Sequence, residues 1–186
     1  MLVFYIKFAR FSIIHYLCSV QRDRNNAVAR TEIWTTYRKN EQMDDNELYD
    51  LALRIAIRAH EGQKDKAGRE YVIHPIRVAE RCRNPRAKVV ALLHDTIEDT
   101  EVTTERLRAE GFPEEIIDGV LSVTKQEGET YEAFVRRAAR NPLGKEVKTA
   151  DLEDNMDIRR LREITDEDVA RLRKYLRSWQ YLRTLG

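Results

Sequence analysis

Proline and glycine are scarce in this chain, four and seven residues among 186. Chain breakers that sparse leave room for helices, and no run alternates apolar and polar residues as a half-buried strand would. A cysteine pattern is missing as well. Cys18 and Cys82 form neither a disulfide framework nor a thiolate metal motif, and the expected setting is the reducing cytoplasm. Charge of one sign is also absent: 33 Lys and Arg face 32 Asp and Glu, a formal net charge of +1. Without a basic excess there is no electrostatic footprint for nucleic acid, so no nucleic-acid partner is expected. The most apolar stretch, residues 1–20, is interrupted by Lys7, Arg10 and His15. It falls short of the roughly 20 unbroken apolar residues of a membrane-spanning helix, and Val20-Gln21-Arg22 offers no small-residue cleavage site for a secretory signal. No integral membrane span is expected, and an interfacial anchor is the remaining membrane reading.

A chain of this length suits one domain with a substantial core. Its charge is uneven: seven Lys/Arg against three Asp/Glu in residues 1–43, and 26 against 29 in residues 44–186. Met43-Asp44-Asp45-Asn46-Glu47-Leu48 reads as the opening of a folded domain. Residues 1–42 are therefore expected to be an N-terminal extension, unfolded or upstream of the true start at Met43, and residues 43–186 the domain. Within it, apolar residues at three–four spacing predict a helix from Leu48 that stops at Gly62. Pro75 suits the first position of the next helix, which runs to about Cys82. Asn84-Pro85 precedes a buried helix carrying Val89, Val90, Leu92 and Leu93. Further helices are expected from Thr103 or Thr104 to Gly111, after Pro113, around Tyr131 to Ala138, from about Gly144, and from Thr165. The last opens on Thr165 and Asp168, a capping-box arrangement, and its stripe of Val169, Leu172, Tyr175, Leu176, Trp179, Leu182 and Leu185 is expected to be core. The fold class is all-α, a bundle of about eight helices.

The segment Ala91-Leu92-Leu93-His94-Asp95-Thr96-Ile97-Glu98-Asp99-Thr100 carries the chemistry. On a helix His94 would lie one turn from Glu98 and Asp95 one turn from Asp99. One imidazole and three carboxyls on a half-buried surface are costly unless a cation neutralises them. His74 and Asp151 also border apolar helical runs. Together His74, His94, Asp95 and Asp151 offer nitrogen and oxygen donors without thiolate, a set suited to Mn²⁺, Fe²⁺, Zn²⁺ or Co²⁺. Lys64, Lys66 and Arg69 lie in the loop before His74, and Lys125 and Lys148 are further cations for an anionic substrate.

The order His74…His94-Asp95…Asp151 resembles the HD superfamily of metal-dependent phosphohydrolases, and within it the hydrolase domain of RelA/SpoT-type enzymes and the small stand-alone alarmone hydrolases. The likeness rests on Ala59-His60-Glu61-Gly62-Gln63, on Tyr71-Val72-Ile73-His74-Pro75, on the segment from Ala91 to Thr100, and on Lys148-Thr149-Ala150-Asp151-Leu152-Glu153-Asp154-Asn155. It runs from about Leu48 to Leu161. It implies an HD-type helical bundle and manganese-dependent removal of the 3′-pyrophosphate of guanosine 3′,5′-bis(diphosphate). It implies that His74, His94, Asp95 and Asp151 hold the metal, that Glu98 or Asp99 positions or deprotonates the attacking water, and that Asn155 contacts substrate ribose or phosphate. His60 is read as structural, and Lys66 matches a lysine of the family's base-binding loop. Two departures bear on substrate choice. Asp65 and Ala67 stand where the larger enzymes have arginine and serine, and Met156-Asp157 follows Asn155 where they have a basic residue. The alternatives are an HD nucleotidase acting on another nucleotide and a non-catalytic nucleotide-sensing module.

Overall fold

The structure is a computed structural model and describes residues 43–161 and 163–185. The expectations for residues 1–42 lie outside the described residues. The helices are α1 (Asp45–Ala59), α2 (Ile73–Arg81), α3 (Pro85–Leu93), α4 (Thr96–Asp99), α5 (Thr104–Glu110), α6 (Glu114–Val123), α7 (Tyr131–Ala138), α8 (Pro142–Asn155) and α9 (Asp166–Thr184), with a 3₁₀ turn at Ile158–Arg160. Among the described residues there is no strand, only an isolated bridge between Lys64 and Glu70. The all-α expectation holds. The single-turn α4 is the element that the sequence pattern merged into its neighbour.

Local chemistry explains most boundaries. Asp44 caps α1 through the backbone N–H groups of Asn46 and Glu47, and the Glu47 side chain returns the bond to Asp44. This satisfies donors that a helix start leaves orphaned. Asn84 caps α3 ahead of Pro85, Thr103 caps α5, and Asn141 caps α8. Gly111, at φ 98°, ends α5 in the left-handed region that glycine enters without a Cβ penalty. Two starts differ from expectation. Helix α2 begins at Ile73, so Pro75 is its third residue; an N–H there has no intrahelical acceptor, and proline loses nothing. Helix α8 begins at Pro142 rather than near Gly144, because the Asn141 side chain already accepts from Gly144 N.

The centre of the bundle is α3. Its residues Ala87 and Val89 through Leu93 are all buried, and it packs against α1, α2, α6 and α8. A helix apolar all round must be enclosed. Burying each Leu contributes roughly 1.5–3 kcal/mol, so Leu92 and Leu93 fix where the following residues stand. Gly119 of α6 allows the close approach on one side: a Cβ there would meet Val90 Cγ2 at 2.7 Å. Helices α8 and α9 pack together around Leu152 and Leu182. The apolar stripe of α9 is only partly core. Leu176 and Leu185 are 47% and 46% exposed, because Leu182 and the partly buried Tyr175 and Trp179 already cover α8 on that side.

Candidate metal centre and the adjoining cavity

The helix through α3 does not run on to Thr100. It breaks after Leu93, where two side chains take carbonyls that a continuing helix would use. The His94 ring bonds through Nδ1 to Ala91 O at 2.8 Å, and the Thr96 hydroxyl donates to Leu93 O at 2.7 Å. His94 and Asp95 thus sit on the turn between α3 and α4 rather than on a straight ladder. One turn of helix survives beyond them, closed by Asp99 N to Asp95 O at 2.9 Å.

This turn faces the first turn of α2 and the middle of α8. His94 Nε2 lies 3.0 Å from Asp95 Oδ2 and 3.8 Å from Asp151 Oδ1. His74 Nε2 lies 3.3 Å from Asp151 Oδ1 and 3.8 Å from Asp95 Oδ2. The donors of His74, His94 and Asp95 fall within 4.8 Å of one another. Metal–ligand bonds of about 2.0–2.2 Å separate neighbouring donors by roughly 3.0–3.5 Å, close to what the cluster displays. His94 is 3% exposed, and its Nε2 has no hydrogen-bond partner among the described residues. A buried polar atom without a partner is costly; a cation among these donors removes the cost. The described residues therefore contain a His/Asp cluster of the right chemistry for a divalent ion.

The electrostatics point the same way. Burial would lower the His74 pKa, but its hydrogen bonds to the Asp151 and Asp154 carboxylates outweigh it and push it up to about 9. His94 is likewise raised against its burial, by Asp95. Burial would raise Asp95, yet His94 holds it down to about 2. Asp151 is held well below the usual carboxylate range, against its burial, by Lys148 and His74. Every member is thus shifted toward its charged form by the others, and the cluster draws positive charge.

A cavity of about 160 Å³ opens beside the cluster, lined among others by His94, Asp95, Asp151, Glu98, Lys125 and Lys148. Lys148 is buried; its Nζ donates to Asp151 Oδ2 at 2.8 Å and stands 4.6 Å from the Phe134 ring centre. Glu98 reaches the cavity and accepts the backbone N–H of Lys125 at 3.0 Å. Asp99 does not line it. Its backbone carbonyl accepts from Gln63, and burial, then Asp95 and Glu98, raise its pKa. Of the acidic pair, Glu98 is the one that borders the cavity.

Of the residues expected to bind substrate, Lys125 and Lys148 border this cavity, whereas Lys64, Lys66, Arg69 and Asn155 lie outside its described lining. Asn155 donates to Asp151 Oδ1. Lys64 pairs with Glu70, and Lys66, largely exposed, stands 3.8 Å from Asp168 at the start of α9. Arg69 is exposed, and its backbone N–H donates to Asp65. His60 is buried; its Nδ1 is 2.8 Å from Gln63 Oε1 and its ring is 5.0 Å from that of Tyr71. Two residues escaped the sequence reading. The Tyr71 hydroxyl donates to Asp95 Oδ2 at 2.6 Å. Asp154 is fully buried against the back of His74, with Nδ1 2.8 Å away, and also accepts from Arg77. Burial would raise its pKa; the His74 and Arg77 bonds instead hold it well below the usual range. Both stand inside the segments that carry the family likeness, the signal that could have singled them out.

No protein-family model matches the chain. Relatives by sequence include a protein named GTP pyrophosphokinase from Streptomyces coelicolor, 36% identical over 118 residues, 56% of this chain and 14% of that one. They include guanosine-3′,5′-bis(diphosphate) 3′-pyrophosphohydrolases from Aquifex aeolicus, 33% identical over 117 residues (56% and 17%), and Haemophilus influenzae, 36% identical over 116 residues (55% and 17%). The chain spans less than a fifth of the length of these relatives. A solved structure of a metazoan orthologue of SpoT, whose title says that it hydrolyses ppGpp, matches with a TM-score of 0.59 and 24% identity, covering 73% of this chain and 85% of that one. The two share the same helical fold.

Proposed function

We propose that this chain, a sequence relative of the RelA/SpoT-type proteins with an HD-type helical fold, is a metal-dependent hydrolase that removes the 3′-pyrophosphate of guanosine 3′,5′-bis(diphosphate). The observation that carries the reading is the grouping of His74, His94 and Asp95 donors within 4.8 Å of one another, with Asp151 Oδ1 3.3 Å from His74 Nε2, beside a cavity with two lysines. The named activity of relatives in Aquifex aeolicus and Haemophilus influenzae supplies the substrate.

His74, His94, Asp95 and Asp151 would hold the ion, with Mn²⁺ as the proposed metal. A divalent cation bound there polarises a phosphoryl oxygen and acidifies water. The chain's own residues do the rest. Tyr71 holds Asp95 in place through its 2.6 Å hydrogen bond. Glu98, on the cavity wall, positions the attacking water, and it or Asp99 accepts its proton, a contribution of about 10²–10⁴-fold in rate. Lys148 and Lys125 flank the cavity and offset the charge on the pyrophosphoryl group under attack. Attack on the phosphorus attached to the ribose 3′-oxygen breaks that P–O bond; the water oxygen goes to pyrophosphate and a proton to the 3′-oxygen, leaving GDP. The extent of the reacting domain, residues 43–186, belongs to the same proposal, as does a setting in the cytoplasm. Among the described residues no helix is long and apolar enough to cross a membrane.

The test is a nucleotide panel. Purified protein with Mn²⁺ is given guanosine 3′,5′-bis(diphosphate), its adenosine counterpart, and simple nucleoside mono-, di- and triphosphates. The guanosine compound is expected to turn over fastest. Turnover of a simple nucleotide with the bis(diphosphate) untouched would reject the substrate, and the Asp65–Ala67 loop would be the place to look for the cause.

A further inference from the structure

His74 and Asp154 come from helices α2 and α8, far apart in sequence. Three side chains of α2 at helical spacing, His74, Arg77 and Arg81, present one face to α8. Asp151 and Asp154, three residues apart on α8, meet that face and bracket the His74 imidazole. Asp151 Oδ1 is 3.3 Å from Nε2 on one side, and Asp154 Oδ2 is 2.8 Å from Nδ1 on the other. Asp154 is 0% exposed. Arg77 holds its two oxygens at 2.8 and 2.9 Å, and Arg81 Nη1 lies 3.0 Å from Oδ1. A carboxylate buried this deeply is kept ionised and immobile by its guanidinium partners.

The two histidines of the cluster are therefore unlike. His94 Nδ1 meets a neutral carbonyl, that of Ala91, at 2.8 Å. His74 Nδ1 meets a full negative charge. A metal-ligating histidine commonly gives its second ring N–H to a carboxylate, which fixes the tautomer and makes the ligating nitrogen a stronger donor. We propose that Asp154 is the positioning residue of the metal site: it accepts the Nδ1–H of His74 and so turns the Nε2 lone pair toward the cation. His74 is then the stronger of the two nitrogen donors. Arg77 and Arg81 act one step further back, through the Asp154 carboxylate that they hold. This rests on the reading of His74 as a ligand and needs no nucleotide chemistry.

The competing role is a plain ion pair joining α2 to α8. Calorimetric titration of the metal-free full chain with Mn²⁺ separates the two, using Asp154→Asn and Arg77→Met. The positioning role predicts a 10–100-fold loss of affinity in Asp154→Asn and a loss of less than about threefold in Arg77→Met, although both break the same ion pair. Wild-type affinity in Asp154→Asn, or equal losses in the two variants, would overturn it. Should Asp154→Asn fail to fold, the Zn²⁺-loaded wild type decides. Long-range ¹H–¹⁵N spectra are expected to show His74 with its proton on Nδ1 and the metal on Nε2; the opposite tautomer overturns the proposal. A wild type that takes up no divalent ion would overturn the metal reading and this proposal together, whereas metal uptake without nucleotide turnover would reject the hydrolase reading alone.

Discussion

His94 Nε2 and Asp95 Oδ2 lie 3.0 Å apart, with Asp151 Oδ1 3.8 Å from the same nitrogen, which makes no hydrogen bond among the described residues. The opposite Nδ1 is already engaged with Ala91 O. Two lone pairs held this close call for a positive charge beside them, and this relationship organises the site.

Divalent metal is predicted to stabilise the fold. At free Mn²⁺ one hundred times its Kd, stabilisation is about 2.7 kcal/mol, or roughly 5–10 °C in Tm for a domain of this size. Thermal unfolding with Mn²⁺ and with EDTA measures it. An unchanged Tm at saturating metal would deny binding to the native state.

Glu98→Gln is predicted to keep metal uptake while losing about 10²–10⁴-fold in kcat. Glu98 borders the cavity but approaches none of the four donors as a partner. Calorimetry and single-turnover kinetics on the same variant check the split, and loss of metal with activity would place Glu98 among the ligands.

Lys148→Met is predicted to cost about 3 kcal/mol in the metal-free protein, the usual scale for removing one partner of a buried ion pair. Asp151 would then keep its buried charge without its 2.8 Å partner. Added Mn²⁺ supplies that charge, so the gap from wild type narrows with metal. Urea unfolding with EDTA and with Mn²⁺ reads both values; a gap that metal leaves unchanged contradicts the coupling.

Much of this was legible in sequence, and the reasons for the exceptions are physical. Caps and breakers mark boundaries through local bonds, so α5, α7 and the Thr165–Asp168 start of α9 follow from residue type alone. The break after Leu93 was not legible, because it depends on His94 and Thr96 competing for carbonyls within an otherwise helical run. Leu176 and Leu185 fit an apolar stripe, yet α8 is too narrow a partner to cover the whole of it. His74, His94, Asp95 and Asp151, which the structure brings near one another, could be singled out because their types are rare beside apolar runs. Asp154 stands out only through its place in a likeness-bearing segment, since by residue type a lone aspartate normally marks solvent, and its buried pairing is with Arg77 and Arg81 one helix away.

Cys82 is predicted to resist alkylation in the native protein. Burial, with Glu146 nearby, pushes its thiol up to about 12, leaving roughly a thousandth of the thiolate of an ordinary cysteine at neutral pH. Iodoacetamide labelling at Cys82, located by mass spectrometry in native and urea-unfolded protein, checks this. Equal rates in the two states would contradict the buried placement.

The most direct measurement is product analysis of guanosine 3′,5′-bis(diphosphate) incubated with the full chain and Mn²⁺. The account predicts pyrophosphate and GDP in equal amounts, abolished by EDTA and by His94→Ala. Intact nucleotide with every divalent ion tried, or orthophosphate released from the 5′ side, would contradict it.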